Sequence, residues 1–413
     1  MSSITKPIVF NETAQAMVEA LEAQNHLISH QNAAIDLIAG DKRAELVTNV
    51  AQIALLAKNG ELLEVMDYGD GIHPEWIEGT THHNPEMNLC HESDELLEDG
   101  ETIHGCFFEW DKTTPTGVPF DAPEALYYFD GTEPAGTYYI GIGTSYGDGW
   151  STSKHIQFTL SEAPAEGDQL VIDCNANYAT DPTDGRNWYV YGKGSTTAKQ
   201  TGTTFNGTSG TNLGSTDSTS AHKTSGRINA PSRVVYGYNR WSQSALRQWL
   251  NSQAAANAWW TAQNDWDRPP AVAATLAGFL SGYDADVIQY FKPIKVVTVA
   301  CDADSNNEDV TYDRVFLSSL EQMYCVPQFS GKEGSYWEYY KRLLGRTSPA
   351  PTSQTYPRLI KYNLGGTTAQ YCWRRSAYRD YANTVWFVNA SGGVYTYYAY
   401  NGCRCAPSVF ISD

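Results

Sequence analysis

The stretch Val394-Tyr395-Thr396-Tyr397-Tyr398-Ala399-Tyr400-Asn401-Gly402-Cys403-Arg404-Cys405-Ala406-Pro407 decides how the end of this chain is read. Tyrosine suits a pleated, half-buried surface. The spacings Tyr395/Tyr397 and Tyr398/Tyr400 would line rings along one face of a strand. The surrounding composition adds a second reading: from Ser376 to Asp413 there is no Lys, Glu, Gln or Met. Asn codons of the form AA-pyrimidine, randomised at their adenines, would always end in pyrimidine. Such codons reach Tyr, Ser, Thr, Asn, Asp, Gly, Cys, Phe, Val and Arg, but never Lys, Glu, Gln, Met or Trp. Trp386 would then be scaffold. The plainer alternative is a Tyr-rich strand of an ordinary globular domain.

With 413 residues the chain has room for two or three domains, each with its own core. Abundant Gly, Ser, Thr, Asn and Tyr lean toward β structure with many turns. No apolar run reaches the roughly 18 residues that a membrane span needs. The N-terminal Met1-Ser-Ser-Ile-Thr-Lys-Pro lacks the basic and apolar regions of a secretory signal. Release to the outside is therefore expected through assembly into a particle or lysis. Charge is uneven: residues 1–166 hold 28 acidic and 6 basic side chains, residues 167–413 hold 19 and 22. An acidic front half sets nucleic-acid binding aside, since phosphate contacts need clustered Lys and Arg. The eight cysteines, without a signal peptide, are expected to be core thiols rather than a disulfide framework.

Residues 11–39 read as helix, with Met17, Leu21, Ile28, Ile35 and Ile38 on a heptad ladder and Gln24 and Gln31 at the intervening rungs. After Gly40-Asp41 the spacing resumes through Leu46, Val50, Ile53 and Ala57 until Asn59-Gly60 stops it. The reading is a coiled-coil helix that oligomerises the chain, as a homotrimer, over residues 1–59. The alternative is a helical hairpin that folds back on its own domain. Residues 60–166 read as a small antiparallel β-sandwich, with strands at Cys106–Trp110, Ala125–Phe129, Gly136–Ile142 and His155–Leu160 divided by Asp-Gly turns. Ser161 to Asp168 looks like a linker. In residues 167–413, strands are expected at Gln169–Asp173, Trp188–Tyr191, Ile294–Ala300, Val385–Val388 and the C-terminus. Gly192 to Ser225 reads as an exposed mobile loop. Helices are expected at about 242–251, 271–281, 318–324 and 333–344, which makes this part α+β.

The segments Tyr236-Gly-Tyr-Asn-Arg-Trp-Ser-Gln-Ser-Ala-Leu-Arg-Gln-Trp-Leu-Asn-Ser252, Tyr312-Asp-Arg-Val-Phe-Leu-Ser-Ser-Leu-Glu321, Trp373-Arg-Arg-Ser376, Trp386-Phe-Val-Asn389 and Arg404-Cys-Ala-Pro407 carry a resemblance. Over roughly residues 169–413 they resemble a domain common in phages and prophages of gut bacteria, related to the C-type-lectin and formylglycine-generating-enzyme fold. That group includes the variable proteins of diversity-generating retroelements, whose C-terminal changes form a ligand-binding face. The resemblance implies diversified, ligand-contacting positions at Tyr378, Arg379, Asp380, Tyr381, Asn383, Phe387, Tyr395, Thr396, Tyr397, Tyr398, Tyr400, Asn401 and Cys403, within a variable region of about 371–405. Gly392-Gly393, Trp386 and Arg404-Cys405-Ala406-Pro407 would be scaffold. The composition agrees with a binding face, because Tyr offers a large amphipathic contact while immobilising only two torsions. Among these positions Phe387 is the one most expected in the core.

Metal chemistry has two candidate clusters. His82, His83, Cys90, His91, His104 and Cys106 fall between residues 82 and 106, with imidazole and thiolate donors suited to zinc or iron. Their spacing matches no tight zinc signature, and solvated loop histidines are the alternative. Asp302, Asp304 and Asn306, with Asp313 beyond, have oxygen-donor spacing like that of a calcium loop, but Asn307 stands where the turn wants Gly. An Asx-rich hairpin turn is the alternative. No cofactor is required by this reading, and a structural metal ion is the one cofactor considered. All nine His precede residue 223, so the C-terminal part offers no His general base.

The chain is thus expected to be a multidomain phage-tail receptor-binding protein: coiled-coil helix, small β-sandwich, and an α+β C-type-lectin-like domain that binds a host-surface protein or glycan. It would join other tail proteins through its N-terminal segment, in the virion tail, with no membrane insertion and no catalytic residues. Three copies per particle would raise avidity without strong single contacts. The rivals are a bacterial or prophage surface lectin of fixed specificity and an enzyme acting on surface polymers.

Overall fold

Strand-forming residues dominate what the chain builds. The computed structural model describes residues 49–142, 154–173, 184–215 and 226–413. At its centre lies a five-stranded antiparallel sheet in the order Gly71–Ile72, Met87–Leu96, Thr102–Trp110, Ser408–Ile411, Val315–Phe316. The C-terminal strand pairs Val409 with Phe108 and Ile411 with Cys106, so the sheet joins residues from both sides of the expected boundary at 166/167. Gly105 makes the close pairing possible: a Cβ there would sit 2.6 Å from the Ile411 carbonyl oxygen. Phe107, Phe108, Trp110, Val409, Phe410 and Ile411 are buried, and each large ring so removed from water contributes roughly 1.5–3 kcal/mol.

The helix Val50–Lys58 lies on this sheet. Asn49 caps it by accepting the Gln52 N–H at 3.2 Å, and Asn59 with Gly60, at φ +71°, ends it. Ile53, Ala54 and Ala57 are fully buried in the main core. The described end of the heptad ladder therefore packs on its own chain, and the coiled coil expected there is not what these residues form. Alternating small and branched side chains find a ready apolar surface in the sheet beside them. The rest of that expectation, residues 1–48, lies outside the described residues, as does the trimer it implied.

Between Ala122 and Asn229 the chain builds a second body. One four-stranded sheet runs Ala198–Thr203, Asn187–Tyr191, Gln169–Ile172, Tyr127–Tyr128; the other runs Phe205–Asn206, Lys154–Leu160, Gly136–Ile142, Thr211–Ser215. They share one core, in which Ile156, Phe158 and Leu160 alternate with outward residues along their strand. The stretch expected to be a mobile loop thus supplies three strands up to Ser215, because its threonines pair with Asn187–Tyr191 and, in parallel, with Gly136–Ile142. Helix Pro231–Tyr236 returns the chain and adds Val234, Val235 and Tyr236 to the same core.

The expected α+β lectin-like domain needs a further correction. The described residues hold five short α-helices, none longer than the nine residues of Val50–Lys58, and the architecture is mostly β. Expected helix 271–281 is two 3-10 turns, Ala271–Ala274 and Phe279–Gly282, broken where Gly278 presses against the Ser252 carbonyl: a Cβ would lie 2.3 Å from that oxygen. Around 318–324 the chain turns instead, with Tyr324 in the left-handed region at φ 57°. Expected helix 333–344 shrinks to Glu338–Leu344. A last sheet, in the order Val394–Tyr398, Thr384–Val388, Cys372–Ala377, Arg404–Cys405, carries the candidate site. Among the described residues no helix is long and apolar enough to cross a membrane.

Candidate ligand-binding site

The strand Thr384–Val388 is buried along its whole length and anchors the tyrosine strand Val394–Tyr398, with Phe387 opposite Tyr395, Val385 opposite Tyr397 and Thr384 opposite Tyr398. The turn between them is closed by Asn389, whose Oδ1 accepts from Ser391 N–H at 3.0 Å and Gly393 N–H at 2.7 Å. Gly392, at φ +85°, passes so close to Tyr356 that a Cβ would meet its carbonyl oxygen at 2.2 Å. Tyr397 joins Phe387 (ring centroids 5.2 Å apart), Tyr371 (5.8 Å) and Trp373 (6.4 Å), against the main core. Tyr398, its ring 6.5 Å from that of Tyr397, stacks on Tyr236 at 3.9 Å and 11°, with Tyr400 5.9 Å from Tyr236, against the core of the second body. The tyrosine run therefore spans the seam between two cores.

The loop from Tyr378 to Asn383 closes the recess. Fully buried Asn239 holds it, its Nδ2 donating to the carbonyls of Tyr378 (3.2 Å), Tyr381 (2.8 Å) and Thr384 (2.8 Å). Tyr378 and Tyr381 lie 5.6 Å apart, and Tyr378 meets Trp386 edge-on at 5.7 Å. Burial pushes the Tyr378 hydroxyl up to about 12, with Asp380 beside it adding to the shift. The result is a recess of about 370 Å³ lined by Tyr378, Tyr381, Asn383, Thr396, Tyr397 and Tyr398 from the C-terminal stretch, together with Tyr236 and Thr384. Asn383, 5% exposed, adds an amide to the wall of the recess.

Six of the thirteen positions singled out from the sequence meet in this recess; the others lie around or beneath it. Arg379 and Asp380 are exposed at its rim, and Arg379 Nε bonds Asp302 Oδ1 at 2.8 Å, an interaction that raises the guanidinium further. Tyr395 is exposed outside the recess, and Asn401 Nδ2 bonds the Tyr398 carbonyl at 3.0 Å. Phe387 and Cys403 are in the core at 5% and 6% exposure, and burial pushes the Cys403 thiol up. All seven described cysteines are free and buried; Cys174 lies outside the described residues. Sequence reasoning missed Tyr236 and Asn239 as parts of the site, although both stand in the quoted segment Tyr236–Ser252; the adjacency comes only from the fold.

The metal candidates are dispersed. His82 pairs with Glu75 at 2.8 Å, His83 lies against Trp76 at 5.6 Å, and His91 stacks on Tyr68 at 6.5 Å. His104 sits between Glu92 (3.0 Å) and Asp94 (2.7 Å); burial opposes its charge, but those two bonds outweigh it and hold the imidazole above its usual range. Asp302, Asp304 and Asn306 form the turn between strands Ile294–Val299 and Glu308–Asp313, where Asp304 accepts the Tyr238 hydroxyl at 2.6 Å. Among the described residues no three His, Cys, Asp or Glu side chains are grouped to hold one ion.

No curated protein and no solved structure matches the chain. Over residues 221–411, which take in Tyr236, Asn239 and the whole tyrosine-lined recess, the chain is similar to a family described as a domain of unknown function (DUF6273).

Proposed function

We propose that this chain is a phage-tail receptor-binding protein, and that the tyrosine-lined recess meets its ligand on the host surface. The observation that carries the reading is the convergence of Tyr378, Tyr381, Asn383, Thr396, Tyr397 and Tyr398 on one recess. Stacked tyrosines supply rigid contact area at low entropic cost, and an amide in the wall supplies direction. The composition of the C-terminal stretch, without Lys, Glu, Gln or Met from Ser376 onward, supports diversification of these positions by a retroelement. Two binding tests follow from different sides. The DNA flanking codons 371–405 should contain a near-copy that differs only at adenines, with recess positions among the differences. Purified chain should adsorb to susceptible bacterial cells, and Tyr398→Ala should weaken adsorption about tenfold, the scale of an interface hot spot. A missing template copy would sink diversification, and unchanged adsorption by Tyr398→Ala would sink the recess as the contact face.

The burial of Phe387 and Cys403 favours a second reading, a surface protein of fixed specificity, because two of the thirteen positions are core sites that tolerate few replacements. Gene sequences from related phages decide between them: variation at the recess positions supports the first, invariance the second.

A further inference from the structure

The larger cavity lies elsewhere. A cleft of about 660 Å³ opens between strand Met87–Leu96, strand Ile294–Val299 and the loop around Glu333. Its loop wall is shaped by two glycines in the left-handed region, Gly331 at φ 75° and Gly334 at φ 105°, which turn Glu333 inward to 2% exposure and leave Lys332 outside, paired with Glu308 at 2.5 Å. Arg375, 2% exposed, reaches the Leu317 carbonyl at 2.7 Å and the Glu333 carbonyl at 2.5 Å. Glu333 accepts from the Val299 N–H at 3.0 Å and from Ser376. Two polar nitrogens of the lining residues, Arg375 Nε and His91 Nδ1, have no partner among the described residues. Tyr336, 44% exposed, offers its ring at the mouth, propped edge-on by Tyr324 at 5.1 Å.

We propose that this cleft is a second ligand site that takes an uncharged, polyhydroxylated ring, a neutral saccharide. Its charges are mostly consumed within the protein: Asp94 by His104 and Lys332 by Glu308, while the terminal nitrogens of Arg375 are bound to carbonyls. Glu95 accepts one bond, from Ser93 Oγ at 2.8 Å, and Lys295 has no ion-pair partner among the described residues, so an acceptor and a donor both face the space. A hydroxyl both donates and accepts, and can bridge such a mixed wall. Burial favours the uncharged forms of Glu95, Glu333 and His91, which matches a neutral guest. The exposed ring of Tyr336 supplies the flat apolar surface on which a sugar face stacks.

The test is saturation-transfer NMR on the full chain with glucose, galactose, N-acetylglucosamine and their β-linked disaccharides as probes. At least one should bind at about millimolar strength, and Tyr336→Ala and Glu95→Gln should each weaken it about tenfold. Tyr336 is half out of water, so its alanine variant keeps the fold, checked by circular dichroism. No binding by any probe overturns the proposal, as does binding that survives both substitutions. Tighter binding of glucuronate or glucosamine than of the neutral sugars overturns the ligand class. Loss on Tyr398→Ala instead would move the sugar to the aromatic recess and overturn the assignment to this cleft. The cleft shares no lining residue with that recess, so failure here leaves the receptor reading to its own tests.

Discussion

Glu109, in the central five-stranded sheet, and Asn383, just before the buried strand beside the tyrosines, are both buried polar side chains, and their surroundings are opposite. Glu109, fully buried, is saturated: Lys361 Nζ lies at 3.1 Å, Arg374 Nη1 at 3.4 Å, Ser318 Oγ at 2.6 Å and Ser408 Oγ at 3.2 Å, and the Tyr340 hydroxyl also donates to it. Asn383, almost as buried, instead lines the tyrosine recess. The first arrangement draws five side chains from distant parts of the chain onto one carboxylate and admits no guest. The second puts an amide where a ligand or water can reach it. A buried polar group whose bonds are all internal argues for architecture; one in the wall of an open recess argues for recognition.

The strongest way to break this contrast is Glu109→Gln. Burial alone would raise the Glu109 carboxyl, but Lys361 and Arg374 outweigh it and hold the group below its ordinary range. Removing the charge strands two buried cations, which should cost about 3–5 kcal/mol in denaturant unfolding. The pH dependence carries a sign. A depressed carboxyl contributes stability that is fully present above its unfolded value and lost as pH falls through its folded value. Acid unfolding of the variant should therefore lack that component. A loss below about 1 kcal/mol would show that the network is dispensable.

Asn239 sharpens the comparison because it serves both sides. Its amide holds three carbonyls of the recess loop, and Asn239→Ala should cost about 2–3 kcal/mol by leaving buried acceptors unmet. Ligand affinity should fall with it, since Tyr378 and Tyr381 lose their support; intact affinity with lowered stability would make the loop irrelevant to binding. A smaller effect comes from Asp267, a buried carboxylate without a bonded cation. Burial first, and then the neighbouring Glu124, raise it to about 6. A raised carboxyl destabilises the folded state above its folded value, so stability should grow by about 1 kcal/mol between pH 7 and pH 5 through this group. Asp267→Asn should remove that gain; a variant with an unchanged pH profile would place the proton elsewhere.

How much of this was legible in the sequence differs by region, for physical reasons. Strands such as Thr102–Trp110, Gly136–Ile142 and Lys154–Leu160 announce themselves by aromatic and branched residues between turn signals. Met87–Leu96 does not, because its second half, His91-Glu-Ser-Asp-Glu-Leu96, is polar where it leaves the core. Pairing of Val409 with Phe108 is a long-range choice that no local pattern encodes. Local helix propensity over 271–281 lost to a tertiary demand, the approach of Gly278 to Ser252. At the site, composition pointed to the tyrosine run but could not say that Tyr397 would pack against one core and Tyr398, beside it, against another. It was equally silent on Tyr236 and Asn239, and on the cleft of Glu333 and Arg375, whose members come together only in three dimensions.

The smallest stability effect is the most telling. Asn383→Ala removes an amide that faces the recess, so unfolding should shift by no more than about 0.5 kcal/mol. Adsorption to susceptible cells should nevertheless fall about tenfold, because the ligand loses the amide of the recess wall. Glu109→Gln is expected to do the reverse, with stability lost and the affinity of the remaining folded protein unchanged. If Asn383→Ala instead costs 1–3 kcal/mol of stability and leaves adsorption intact, its amide is structural. The recess would then be a packing defect between two cores, and the tyrosines around it would be there to fill the seam.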